Sequence, residues 1–127
     1  MKWLWVSLGG MLGANARLAV NLWIANRSNR EFPLGIFCIN ISGSFLLGLL
    51  ITVAARLKWN PNVSLLLGVG VLGAYTTFST FEYDNFRLLS EGKVRLALLN
   101  IFGSVFIGLL GVAVGVGLGN FLTRHTV

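Results

Sequence analysis

The sequence predicts an all-α membrane protein, with four transmembrane helices forming one domain over residues 1–127. Three observations carry that prediction. Of the 127 residues, 55% are hydrophobic and only 11% charged, with a mean hydropathy of +0.78, whereas soluble domains carry about a quarter charged residues. The charges cluster between long uncharged stretches instead of spreading along a helical face. The connections between those stretches are short, which leaves no room for a soluble second domain.

The first span covers 3–24 and is interrupted only by Arg17. A signal peptide built from Lys2, the apolar run to Leu12 and an Ala14-Asn15-Ala16 cleavage site is the weaker reading. Gly9 and Gly10 interrupt that run, and apolar character resumes through Ile24, so a retained helix is expected. The second span, 34–55, the third, 63–81, and the fourth, 96–123, carry no charge. About 20 helical residues cross a hydrocarbon core of roughly 30 Å, so each span is long enough. Connections are expected over 26–33, 56–62 and 82–95, with Pro33 and Pro61 near helix starts, where a missing amide proton costs little.

Sixteen glycines punctuate the chain. Gly111, Gly115 and Gly119 recur every four residues in the last span, as do Gly9 and Gly13 in the first and Ser44 and Gly48 in the second. Small residues at this spacing let membrane helices approach backbone to backbone, so most of these glycines predict packing.

The net charge of +6 does not point to nucleic acid, because the basic residues mark the ends of apolar runs instead of sharing a face. Lys2, Arg56, Lys58 and Arg124 fall on one side of the membrane, and Arg27, Arg30, Arg87, Lys93 and Arg95 on the other. Four against five is almost no bias under the positive-inside rule, so insertion in both orientations is expected. Two chains could then pair antiparallel about a two-fold axis in the membrane plane. Cys38, the single cysteine, reads as a small apolar side chain.

Catalysis finds little footing. The one histidine, His125, stands in the C-terminal tail, no carboxylate lies inside a span, and no ligand spacing fits zinc or iron. The most unusual run is Gly70-Val71-Leu72-Gly73-Ala74-Tyr75-Thr76-Thr77-Phe78-Ser79-Thr80-Phe81. Its hydroxyls are poor lipid contacts, and glycines followed by threonines mark a place where a membrane helix can open, so a break in the third helix is read there beside the plainer alternative of an intact helix with its hydroxyls bonded back to it and ordinary aromatic packing. Helical spacing puts Phe78 and Phe81 side by side. Asn40, in the middle of an uncharged span, needs hydrogen-bond partners, and Arg17 in the first span is expected at an interface or a watery vestibule.

These residues resemble the Fluc (CrcB) family of bacterial fluoride channels. The likeness rests on the glycine-rich first helix ending in Arg17, on Gly35, Asn40, Gly43, Phe45 and Gly48 in the second, and on Thr76-Thr77-Phe78-Ser79-Thr80-Phe81 in the third. It implies a passive fluoride channel in the bacterial cell membrane, built as an antiparallel dual-topology dimer with a sodium ion at the interface. By position it implies that Asn40, Phe78, Phe81, Thr80 and Ser104 line the fluoride path and that the main-chain carbonyls of Gly73 and Thr76 hold the sodium. The partner would be a second copy of the chain or a close paralogue. Ala74, Ile36 and Asp84 depart from the family pattern, where glycine, threonine and glutamate are usual. The physics is compatible: fluoride is small and tightly hydrated, so a pore must offer donors and the electropositive rims of aromatic rings. The competing class, a four-helix dual-topology proton-coupled exporter, needs an intramembrane carboxylate that these spans lack.

Overall fold

The computed structural model describes residues 1–28 and 31–124; Arg30 and His125 lie outside them. The described chain is helical with no strand. Helix α1 spans Lys2–Ala25 and α2 spans Leu34–Arg56. A third helical stretch, α3 (61–75), opens as the α-helical turn Pro61–Ser64, widens into a π-helical stretch over Leu65–Leu72, and closes as Gly73–Tyr75. After an extended interruption at Thr76 and Thr77, α4 runs over Phe78–Ser90 and α5 over Val94–Leu122.

Local chemistry explains several of these boundaries. Pro61 takes the first helical position of α3, where its missing N–H is no loss, and the Asn60 side chain accepts a hydrogen bond from the Asn62 amide at 2.9 Å. Between α4 and α5 the chain reverses through Gly92 at φ +73°, a conformation that favours glycine. In that turn the Lys93 ammonium lies 2.9 Å from the Glu91 carboxylate. Their hydrogen bond holds the Glu91 carboxyl below its ordinary range and Lys93 above its own.

Packing is inverted relative to a water-soluble protein. Along the 29 residues of α5, the buried positions are Ala97, Asn100, Gly108, Gly115 and Gly119, while Leu109, Leu110, Phe102, Phe106 and Phe121 are exposed. Small and polar groups face the protein and large apolar groups face outward, which is stable only where the solvent is lipid. Among the described residues, Leu34–Arg56, Pro61–Ser90 and Val94–Leu122 are long and apolar enough to cross a membrane. Helix α1 has the length, 24 residues or about 36 Å. It is not among those apolar stretches, and it carries Asn15, Arg17 and Asn21.

The glycine stripes do the work expected of them. Helix α2 packs along α5, and α1 packs along α3. A Cβ on Gly70 would sit 2.8 Å from the Cα of Gly9, so these two backbones touch directly. The ends of the bundle are tied as well: the Arg56 guanidinium donates to Asn120 Oδ1 at 2.8 Å at one end, and Lys93 lies 3.8 Å from Glu31 at the other. Arg56 and Lys93 thus stand at opposite ends of the bundle.

One expectation needs correction. The stretch 82–95 is not an open connection: α4 continues through Ser90, and α5 starts at Val94. Phe81, Asn85 and Leu88 form its buried face at i, i+4 and i+7, and its charged residues occupy the rest of the helix. Reading spans by absence of charge ends such an amphipathic helix too early. The π-helical stretch was also not anticipated, since it lies inside a uniformly apolar run, Leu65–Leu72, whose composition gives no sign of the wider turn.

Candidate functional site

The break in the third helical stretch is the centre of the site. Thr76 (φ −78°, ψ 158°) and Thr77 (φ −152°, ψ 118°) are extended, so α3 and α4 are separate helices. Opening a helix inside an apolar environment strands backbone groups that must find other partners. The Thr77 amide donates to Asn40 Oδ1 at 2.9 Å, and Asn40 Nδ2 donates to the Thr77 carbonyl at 3.1 Å. A carboxamide from α2 therefore takes the place of a neighbouring peptide group.

The same rearrangement releases two carbonyls. In a continuous helix the Thr77 amide would bond the Gly73 carbonyl and the Thr80 amide the Thr76 carbonyl. Here the first is turned to Asn40, and the second caps onto Thr77 Oγ1 at 3.4 Å. The Thr76 hydroxyl points back along α3 and donates to the Leu72 carbonyl at 3.1 Å. Gly43 gives the break room, because a Cβ there would run into the Thr76 methyl group.

Beside the break is a cavity of about 350 Å³ lined by Asn40, Gly43, Gly73, Thr76, Thr77, Phe78, Phe81, Ser104 and five further residues. No charged side chain is among its lining residues. Phe78 and Phe81 lie with ring centroids 5.9 Å apart and planes tilted by 36°. They differ sharply in setting: Phe81 is 7% exposed and packs with Ile36 and Ile39, whereas Phe78 is 73% exposed on the subunit surface. Gly73 is exposed too, so this side of the cavity is open.

Most of the residues singled out from the sequence meet at this one place. Asn40, Phe78, Phe81, Ser104, Gly73 and Thr76 all line the cavity. Thr80 does not. Its hydroxyl accepts from Thr77 Oγ1 at 3.0 Å, and its side chain lines a second cavity of about 200 Å³ with Asn21, Gly35, Ile36, Asp84 and Arg87. Two of the three positions that depart from the family pattern, Ile36 and Asp84, lie there as well. Arg17 is half-buried on α1, lines neither cavity and makes no ion pair among the described residues.

Sequence reasoning missed Asn85 and Asn100, which are 4% and 1% exposed. Asn100 Nδ2 donates to Asn85 Oδ1 at 2.7 Å, and the Ser104 hydroxyl donates to Asn100 Oδ1 at 3.4 Å. The signal that singled out Asn40, a carboxamide within an uncharged span, applies equally to Asn100. Asn85 stood in the stretch taken for a connection. No group of three His, Cys, Asp or Glu side chains gathers into a metal site among the described residues.

The family model described as CrcB-like protein, Camphor Resistance (CrcB), matches residues 4–116. A protein of Acidobacterium capsulatum named fluoride-specific ion channel FluC is 46% identical over 121 residues, covering 94% of this chain and 97% of that protein. Proteins of the same name from Chloroflexus aurantiacus and Thermus thermophilus are 44% and 40% identical, over 91% and 95% of this chain and 93% and 95% of their own. With a family match across most of its length and relatives at this identity, the chain belongs to the CrcB family.

Proposed function

We propose that this protein is a fluoride-specific ion channel that passes fluoride by electrodiffusion through the cavity at the helix break. The observation that carries the reading is the meeting of an amide donor, a hydroxyl and two aromatic rings around an uncharged cavity, Asn40 with Ser104, Phe78 and Phe81. One N–H of Asn40 is spent on the Thr77 carbonyl and the other remains for an anion. Ring edges supply positive rims without a fixed cation, and the absence of Lys or Arg favours passage over trapping, because a conducted ion must also leave.

The finer architecture belongs to the same reading: four membrane spans including α1, both orientations in the bacterial cell membrane, and an antiparallel dimer. The exposed Phe78 and Gly73 sit where a second copy would close the cavity. A dimer axis passing near Gly73 and Thr76 would bring four released carbonyls together, a set of neutral oxygens suited to sodium as a structural ion. The residues fit that role because their helical partners are turned elsewhere. A partner chain that is a close paralogue satisfies the same geometry.

A proton-coupled exporter is disfavoured by the lining of the cavity, which contains no carboxylate to carry a proton. The test is fluoride efflux from liposomes carrying the purified protein, with no proton gradient imposed. Rapid efflux of fluoride with chloride retained is the expected result; efflux only when a proton gradient is applied would overturn the channel reading.

A further inference from the structure

Asn85 presents an unmet need. It is 4% exposed, and its Nδ2 group has no hydrogen-bond partner, although its Oδ1 accepts from Asn100. A buried amide with both N–H groups idle is costly, and such orphan donors are rarer than orphan acceptors. The chain of bonds runs one way: Ser104 donates to Asn100, Asn100 donates to Asn85, and the amide at the far end donates to nothing. In this arrangement the only proton of the Ser104 hydroxyl is spent on Asn100, yet Ser104 lines the cavity.

Carboxamide oxygen and nitrogen are nearly equal in size, so a half-turn about the last torsion exchanges donor and acceptor without disturbing packing. Turning both amides reverses the direction of the chain. Asn85 Nδ2 then donates to Asn100 Oδ1, Asn100 Nδ2 donates to Ser104 Oγ, and the Ser104 proton is freed toward the cavity. The orphan left at the closed end is a carbonyl instead of an NH₂ group, and an anion in the cavity accepts a hydrogen bond from the Ser104 hydroxyl. The direction with the idle carbonyl is the less costly one, so it is the direction the buried relay takes.

We propose that Asn100, backed by Asn85, is a positioning residue that holds Ser104 Oγ as an acceptor and so leaves the Ser104 hydroxyl free to donate to fluoride. The proposal rests on the reading of this cavity as the fluoride path. Nothing in it requires backbone motion, and neither asparagine touches the ion.

The experiment is a double-mutant cycle read by fluoride efflux from liposomes, with assembly checked by gel filtration. Ser104→Ala removes the donor, and Asn100→Leu removes the relay at similar volume. Each is expected to slow efflux about fivefold, the worth of roughly one hydrogen bond. The double variant is expected to be no slower than either single one, because Asn100 acts only through Ser104. Full additivity overturns the proposal, since packing defects do not depend on a hydroxyl. Asn100→Leu at the wild-type rate overturns it also. If the leucine prevents assembly, Asn100→Ala runs the same cycle. Ser104→Ala at the wild-type rate while Phe81→Ile is slow discards the relay and keeps the cavity as the path; wild-type rates in both discard the path itself.

Discussion

Asn40 and Thr77 exchange two hydrogen bonds across the helix break, amide to Oδ1 at 2.9 Å and Nδ2 to carbonyl at 3.1 Å. One side chain on α2 thereby fixes the backbone that separates α3 from α4. It follows that Asn40 has a structural duty beside any contact with an ion. Asn40→Leu leaves both Thr77 groups without partners, at a cost of about 1–3 kcal/mol for each buried group. We expect a lower melting temperature together with near-complete loss of fluoride efflux. Asn40→Asp keeps the acceptor for the Thr77 amide but loses the donor and adds a negative charge that repels the anion. Its efflux should also collapse, with a smaller effect on melting; efflux at the wild-type rate would show that Asn40 only braces the break.

Phe78 and Phe81 line one cavity but are held differently, 73% against 7% exposed. Replacing Phe81 with Ile keeps an apolar group among Ile36 and Ile39, so destabilisation of about 1 kcal/mol is expected. Phe78→Ile should leave the subunit's melting unchanged. Both remove a ring edge, and both should slow fluoride efflux sharply while Phe45→Ile, on a residue absent from the cavity lining, does not. Equal efflux in all three variants would reduce the phenylalanines to packing.

Gly43 lies where a Cβ would run into the Thr76 methyl group and the Tyr75 ring. Gly43→Ala therefore pushes on the break itself. Overpacking of this kind costs about 1–3 kcal/mol, and displacement of Thr76 should slow efflux as well. Gly117→Ala is the control, since nothing lies within 4 Å of its added methyl group within the subunit. Identical behaviour of the two variants would show that the break has room to give.

The legibility of this chain followed the strength of its local signals. Three of the four charge-poor stretches, 34–55, 63–81 and 96–123, correspond to helical runs long and apolar enough to cross a membrane, because lipid excludes charge strongly. The break was legible in Gly73, Thr76 and Thr77, whose glycine and hydroxyls make an open helix tolerable. The continuation of α4 to Ser90 was not, because Glu82, Asp84 and Arg87 share a helix with buried Phe81 and Leu88, and only the period of the apolar residues separates the two faces. The partners of Asn40 could not be read from sequence either, since Thr77 lies 37 residues away and any of several threonines would have served. Thr80 illustrates the limit of spacing: its neighbour Phe81 lines one cavity while Thr80 lines another.

Orientation can be tested at the end of the bundle where Arg56 donates to Asn120. In a Cys38→Ser background, single cysteines placed in the 56–62 loop should react with an impermeant thiol reagent partly from each side of the membrane. The loop is exposed at Leu57 and Lys58, so access will not limit the reaction. Labelling from one side only would exclude dual topology for the chain expressed alone and point to a partner of opposite charge bias.

Sodium dependence is the remaining prediction drawn from the break. The amides of Thr77 and Thr80 are turned to Asn40 and to Thr77 Oγ1, so the carbonyls of Gly73 and Thr76 lack the donors a continuous helix would give them. A monovalent cation coordinated by these oxygens from two chains would satisfy them, and its ligands would be main-chain atoms. Preparing the protein with a bulky organic cation in place of sodium should therefore slow fluoride efflux and loosen the dimer, and restoring sodium should reverse both. Thr76→Val removes the hydroxyl, which in the structure is occupied with the Leu72 carbonyl and not with the cavity. That variant should keep its sodium dependence. Efflux and dimer stability that are indifferent to sodium in the wild-type protein would remove the ion from this site, leaving the released carbonyls to water.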